Sequence, residues 1–200
     1  MNIAIMASSG GSGKDTVAKM IQDLANQQNK SLRIESLGGP IHKACEELMI
    51  NGKPERQHLQ KYGEVTRKIF GENVWMNYLD QKVADGNQDG VIIPDVRKLL
   101  EFSHYCVERD YQPLYISCSP EVARQRLLKR DGSYNEASMR NSIETQLKFI
   151  EELFVASDLW DNDERGCYVE IAGVKVYAIT NDYTEEELLN QVKKWYENAE

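Results

Sequence analysis

An α/β fold with a parallel core sheet is what the 200-residue sequence predicts. Three observations carry that reading. Apolar runs of β type alternate with segments of helical period along the chain. Several of those runs are apolar almost without interruption, as in strands covered on both faces. A glycine-rich stretch ending in a lysine joins the first run to the first helical pattern, the strand–loop–helix junction of such sheets. No fixed-period repeat, low-complexity segment or proline-rich linker divides the chain, so one domain is expected.

Taken in order, strands are expected at residues 2–7, 32–37, 90–94, 113–118 and 176–180. Val17, Met20, Ile21, Leu24 and Ala25 recur at helical spacing and give the first helix its buried stripe. Ser119-Pro120-Glu121 supplies an N-cap, a proline at the first helical position and an acid in the first turn. Leu147, Ile150, Leu153 and Phe154 read as the core face of a later helix, and Trp75 and Tyr78 as packing aromatics. Across residues 167–179, two apolar segments flank Ala172-Gly173, a tight-hairpin signal. Thr184 and Glu187 form a capping box ahead of Leu188, Val192 and Trp195, which closes the chain with a helix.

Composition excludes several function classes. With 24 Lys plus Arg against 32 Asp plus Glu, the formal charge is −8, so a polymeric nucleic acid would meet net repulsion. No apolar run approaches the roughly 18 residues of a membrane span. Residues 1–7 lack a basic leader and a cleavage site, so a cytoplasmic location is expected. Cys45, Cys106, Cys118 and Cys167 show no metal-ligand or redox spacing and read as reduced core thiols. His42, His58 and His104 have no telling partner and are assigned no chemistry.

Chemistry enters at Gly10-Gly11-Ser12-Gly13-Lys14-Asp15-Thr16. Glycines let successive backbone N–H groups turn toward one anion, Lys14 reaches its oxygens, and the helix that follows adds the positive end of its dipole. Phosphate is the expected ligand. The strict phosphate-loop pattern fails twice, because Ser8 stands at its first glycine and Asp15 at its hydroxyl position. Asp15 could then ligate Mg²⁺ itself or through water, Thr16 could take over part of that role, or Asp15 is only an acid favoured in the first turn of a helix, and the residues alone do not choose among these.

These residues resemble the variant loop of phage-type deoxynucleoside monophosphate kinases, in which Asp follows the loop lysine. Leu37-Gly38-Gly39-Pro40-Ile41, Ile93-Pro94-Asp95-Val96-Arg97 and Ile179-Thr180-Asn181-Asp182 are similar to that family in the same order, as are Leu59, Gln60, Gly63, Arg67 and Trp75. A second resemblance, to the lid region of dephospho-coenzyme A kinases, is carried by Ser119-Pro120-Glu121, Arg126, Arg130-Asp131 and Gln146. Both imply a three-layer P-loop kinase fold: core at 1–39, 89–130 and 140–200, a helical acceptor-binding insertion at about 40–88, and a short lid at about 131–139. Both imply ATP and Mg²⁺, and the glycine-proline loop at Gly38-Gly39-Pro40 with the Pro94-Asp95-Val96-Arg97 segment favours the first, which implies a nucleoside or deoxynucleoside monophosphate as acceptor. A dephospho-coenzyme A kinase is the alternative, and a nucleotide-binding regulator without transfer is the alternative of another class.

Roles follow on that reading. Gly10 to Thr16 and Asn181 bind ATP, with Asn181 either contacting the base or simply ending a turn. Asp95 and Arg97, placed just past a strand end, face the acceptor, where an Arg can clamp a phosphate with two parallel bonds. Gly39, Pro40 and Arg67 complete the acceptor side, with Tyr62 or Trp75 as possible pocket walls. Arg126 and Arg130, four apart on one helix, are the mobile arginines that neutralise charge as the site closes, with Arg140 opposite.

Overall fold

The structure, a computed structural model, describes residues 1–7, 9–49, 54–84, 86–132, 146–156 and 160–199. By its contacts the chain divides into two units, Met1–Ile34 with Gln88–Glu200, and Glu35–Asn87.

In the larger unit the described strands are β1 (Ile3–Met6), β2 (Leu32–Ile34), β3 (Gly90–Val96), β4 (Gln112–Ser117), β5 (Asp161–Asp163), β6 (Gly166–Ile171) and β7 (Val174–Thr180). They form one sheet in the order β2-β3-β1-β4-β7-β6-β5. The five strands from β2 to β7 run parallel, and β6 and β5 extend the sheet antiparallel. β1 is central and all four of its residues are buried, which is why its sequence is apolar throughout and does not alternate. One face is covered by α1 (Lys14–Gln27) and the closing helix α8 (Glu185–Glu197). There Val17, Ala18, Ile21 and Leu24 meet Leu188, Val192 and Trp195 over Ile3, Ile5, Leu114 and Ile179. On Tyr115, α7 (Lys148–Val155) stacks Phe154 with ring centroids 6.0 Å apart. Along α7, Leu147 and Ile150 are buried, whereas Leu153 and Phe154 are half-buried. The remaining described helices of this unit are α5 (Leu99–Phe102), which continues as a π-helical turn, and α6 (Pro120–Asp131).

Two strand ends differ from expectation. β3 continues through Pro94 to Val96, so Asp95 lies inside the strand and not beyond it. A proline is tolerated there because β2 pairs only as far as Ile92, and the β1 pairing skips between Ile93 and Val96. The missing N–H thus falls at a bulge on an unpaired edge. β2 stops at Ile34, three residues early, because Ser36 turns the chain: its Oγ and its carbonyl both accept the Gly39 N–H. The short edge strand β5 carries no apolar alternation and was not expected. The Ala172-Gly173 hairpin forms as expected, with φ of 53° and 78° at its two turn residues.

The smaller unit holds α2 (Gly39–Leu48), α3 (Arg56–Phe70) and α4 (Val74–Ala84). α2 packs on α3 at Gly63, where a Cβ would stand 3.1 Å from Ile41 Cδ1. Trp75, Met76 and Leu79 bury one face of α4, but Tyr78, expected to pack, is exposed: it lies one position from the buried stripe and so points outward. Among the described residues no helix is long and apolar enough to cross a membrane. All four cysteines are free thiols, and Cys45, Cys106 and Cys118 are buried.

Candidate active site

The loop between β1 and α1 is shaped by its glycines. Gly11 and Gly13 sit at φ of 82° and 92°, a region that side chains disfavour. Space forbids side chains as well: a Cβ on Gly11 would stand 2.6 Å from the Ala123 carbonyl oxygen. Among the described residues no side chain caps α1, so its first-turn N–H groups are open to an anion or to water. Lys14 is 8% exposed and its ammonium leans across the loop to the Ser9 carbonyl at 3.3 Å. Ser12 is buried, and its hydroxyl has no hydrogen-bond partner among the described residues. A buried hydroxyl left unmade costs about 1–3 kcal/mol, and a phosphate oxygen in the cradle is the partner its chemistry suits. Asp15 and Thr16 are exposed on the first turn of α1, where a carboxylate or hydroxyl is open to a hydrated Mg²⁺. Among the described residues no group of three or more His, Cys, Asp or Glu gathers as a metal cage, so such an ion would draw its other ligands from phosphate and water. Ser8 lies outside the described residues.

Asn181 follows β7 and is brought to this loop. Its side-chain amide donates to the Ser12 carbonyl at 2.7 Å, and its backbone N–H donates to the Ser117 carbonyl at 2.8 Å. Asp182 accepts the Ser119 N–H at 2.7 Å and so anchors the start of α6. Gln191 of α8 closes both backbone groups of Thr180, accepting from its N–H at 3.1 Å and donating to its carbonyl at 2.9 Å. Gln191 was not singled out from sequence, and Asp182 only as the last residue of the Ile179–Asp182 motif, because its partner Ser119 lies 63 residues away.

Arg126 is half-buried and donates to the Asn181 carbonyl at 2.9 Å and to its Oδ1 at 3.2 Å. The same guanidinium lies 3.6 Å from Cys118 Sγ. Burial pushes the Cys118 thiol up to about 11, against the pull of Arg126. The expected mobile arginine is therefore engaged with Asn181, the residue that bonds the glycine loop. Arg130, one turn further on α6, is exposed. Residues 133–140, with Arg140 and most of the expected lid, lie outside the described residues.

Asp95 and Arg97 are half-buried at the C-terminal end of β3, beside the end of β1, where Val96 is in register with Met6. Glu101, itself 5% exposed, accepts the backbone N–H groups of Arg97 and Lys98 at 2.8 and 3.0 Å. Gly39, Pro40 and Arg67 belong to the Glu35–Asn87 unit, at the start of α2 and on the last turn of α3. In that unit Tyr62 helps line an open, largely apolar cavity of about 450 Å³, together with Leu48, Met49 and Val65. Trp75, whose ring centroid is 6.5 Å from that of Tyr62, is buried.

No family model matches the chain, and no curated protein matches it. The fold nonetheless recurs among solved structures. A gluconokinase from Sinorhizobium meliloti 1021 is 16% identical over 99% of this chain and 94% of its own, with a TM-score of 0.52. A protein from Thermus thermophilus is 15% identical over 96% and 95%, with a TM-score of 0.55. A shikimate kinase from Bacteroides thetaiotaomicron is 17% identical over 98% and 96%, with a TM-score of 0.50. The fold is thus that of P-loop kinases: a mostly parallel seven-stranded sheet flanked by helices, with the glycine loop after the middle one of its five parallel strands.

Proposed function

We propose that this chain is an ATP-dependent phosphotransferase whose acceptor is a nucleoside or deoxynucleoside monophosphate. The observation that carries the donor half is the loop after β1, with two left-handed glycines, an uncapped helix and a buried serine hydroxyl. The loop amides and Lys14 bind the β- and γ-phosphates. Asp15 or Thr16 would hold a Mg²⁺ ion, which when bound would supply neutralisation of phosphate charge. Arg97 fixes the acceptor phosphate, Asp95 orients the attacking oxygen, and Arg130 offsets charge on the transferring group, so the protein's work is positioning and electrostatics. Gly39, Pro40 and Arg67 hold the acceptor from the 40–88 insertion. Support for an acceptor with a planar ring comes from the apolar cavity lined by Tyr62. A short lid at 131–139, a core made of the remaining segments and a cytoplasmic location complete the reading, with no polymeric nucleic acid or membrane as partner.

An ADP-release assay tests it, run with nucleoside and deoxynucleoside monophosphates, dephospho-coenzyme A and no acceptor. Turnover that requires a monophosphate supports the proposal. Turnover with dephospho-coenzyme A alone reassigns the acceptor, and slow hydrolysis indifferent to the panel identifies a nucleotide-binding regulator.

A further inference from the structure

Asn181 is buried to 5% exposure and its polar groups are spoken for on opposite sides. Its Oδ1 and main-chain oxygen accept from the two arms of the Arg126 guanidinium, at 3.2 and 2.9 Å. Its Nδ2 donates to the Ser12 carbonyl at 2.7 Å. A primary amide can rotate so that oxygen and nitrogen exchange places. Here a rotated amide would set Oδ1 against the Ser12 carbonyl and Nδ2 against a cation, two repulsions in place of two bonds. Arg126 therefore decides which way the amide faces.

The amide in turn decides how the loop peptide lies. The Ser12 carbonyl and the Gly13 N–H belong to one planar trans peptide and point in opposite directions. Holding the carbonyl on Asn181 turns the Gly13 N–H away from Asn181. A Cβ on Gly13 would stand 2.2 Å from Nδ2, so the amide rests on the loop where a side chain would otherwise be. Loop amides aimed at one point are what an anion cradle needs.

We infer that Arg126 is a positioning residue for the donor phosphates: through Asn181 it fixes the Ser12–Gly13 peptide and so aims a loop amide. It carries the nucleotide loop without contacting the transferring group. This rests on the reading of the loop as the donor site, and it assigns Arg126 a role other than the lid arginine expected from sequence.

The test is equilibrium binding of ATP alongside steady-state kinetics, for wild type, Arg126→Ala, Arg126→Lys, Asn181→Asp and the double variant Arg126→Ala/Asn181→Asp, with thermal melts of each. Asn181→Asp keeps the pairing to Arg126 but presents an oxygen to the Ser12 carbonyl, so ATP affinity should fall roughly ten- to a hundredfold. Arg126→Ala should fall comparably. The double variant should be no weaker than the weaker single, because both act through one bond. Arg126→Lys should recover only part, since an ammonium cannot fork to two oxygens. The acceptor KM should be unchanged throughout. If Arg126→Ala binds ATP like wild type while kcat drops, or if the two losses simply multiply, the inference is overturned. Should Arg126→Ala fail to fold, Arg126→Lys and Asn181→Asp decide it alone. Wild-type protein that binds no ATP overturns the donor-site reading itself, a result told apart from the others because it precedes any substitution.

Discussion

The carboxylate of Glu101 accepts the backbone N–H of Arg97 at 2.8 Å, and this bond fixes the point where β3 gives way to α5. The Lys98 N–H donates to the same oxygen. Glu101→Ala deprives two backbone donors of that acceptor and should cost about 1–3 kcal/mol of stability. Glu101→Gln keeps an acceptor without the charge and should lose less. Urea unfolding of both variants checks this, and equal losses would show that a neutral amide cannot stand in for the carboxylate as acceptor. The acceptor KM should rise with Glu101→Ala, because Arg97 is no longer held.

Gly13 and Gly132 provide a matched pair. Both have positive φ, 92° and 69°, but a Cβ on Gly13 meets Asn181 at 2.2 Å whereas one on Gly132 meets nothing within 4 Å. Gly132→Ala should cost about 1–2 kcal/mol, the backbone penalty alone. Gly13→Ala should cost more and abolish ATP binding. Thermal melts with and without ATP separate the two effects.

Lys14→Ala should remove phosphoryl transfer and leave the fold intact, read by ADP release and far-ultraviolet circular dichroism. At Asp15 the signs differ by ligand. Asp15→Asn should weaken apparent Mg²⁺ affinity yet ease metal-free ATP binding, since a negative charge facing the phosphates is gone. Asp15→Ser should recover part of the Mg²⁺ affinity by offering a hydroxyl. Mg²⁺ titrations at saturating ATP that superimpose for all three proteins would leave Asp15 a first-turn residue only.

Asp163 sets an acid limit on stability. Partial burial raises its carboxyl pKa, but hydrogen bonds from Lys175, Tyr177 and the Arg165 N–H outweigh that and hold it below the ordinary carboxylate value. With the folded value depressed, its stabilisation is present above the unfolded pKa of about 3.9 and is lost as pH falls through the folded value. Asp163→Asn should therefore flatten the acid limb of a stability–pH curve while lowering stability at pH 7. An unchanged limb would exclude Asp163 as a contributor.

What was legible in the sequence was local. β1, the glycine loop and α1 follow one another within 27 residues, and the Thr184–Glu187 box forms as spaced, the Glu187 N–H donating to Thr184 Oγ1 at 3.2 Å. Asn181 could be placed near the loop because parallel strands bring their C-terminal ends to one edge of the sheet. What escaped was pairing between distant side chains. Arg126 looked like one of two equivalent arginines on a basic helix, but its partner is 55 residues away and only one of the pair finds it. Pro94 looked like a strand end because the bulge that admits it depends on where β2 stops. β5 has no apolar period at all, and it is held instead by Asp163 across the sheet edge.

The central place of β1 has a kinetic side. Its partners in register are residues 92–96 and 112–115, so β1 stays open on both edges until a long stretch of chain has followed it. Until about half of the chain has been synthesised, four consecutive apolar residues have no neighbour on either side, a state prone to association with other chains. The loop that follows waits longer still, because the amide that braces it arrives only at residue 181. Refolding should accordingly be slow, as pairing over such separations is, and the capacity to bind ATP should return in its final phase, after most of the helical signal has recovered.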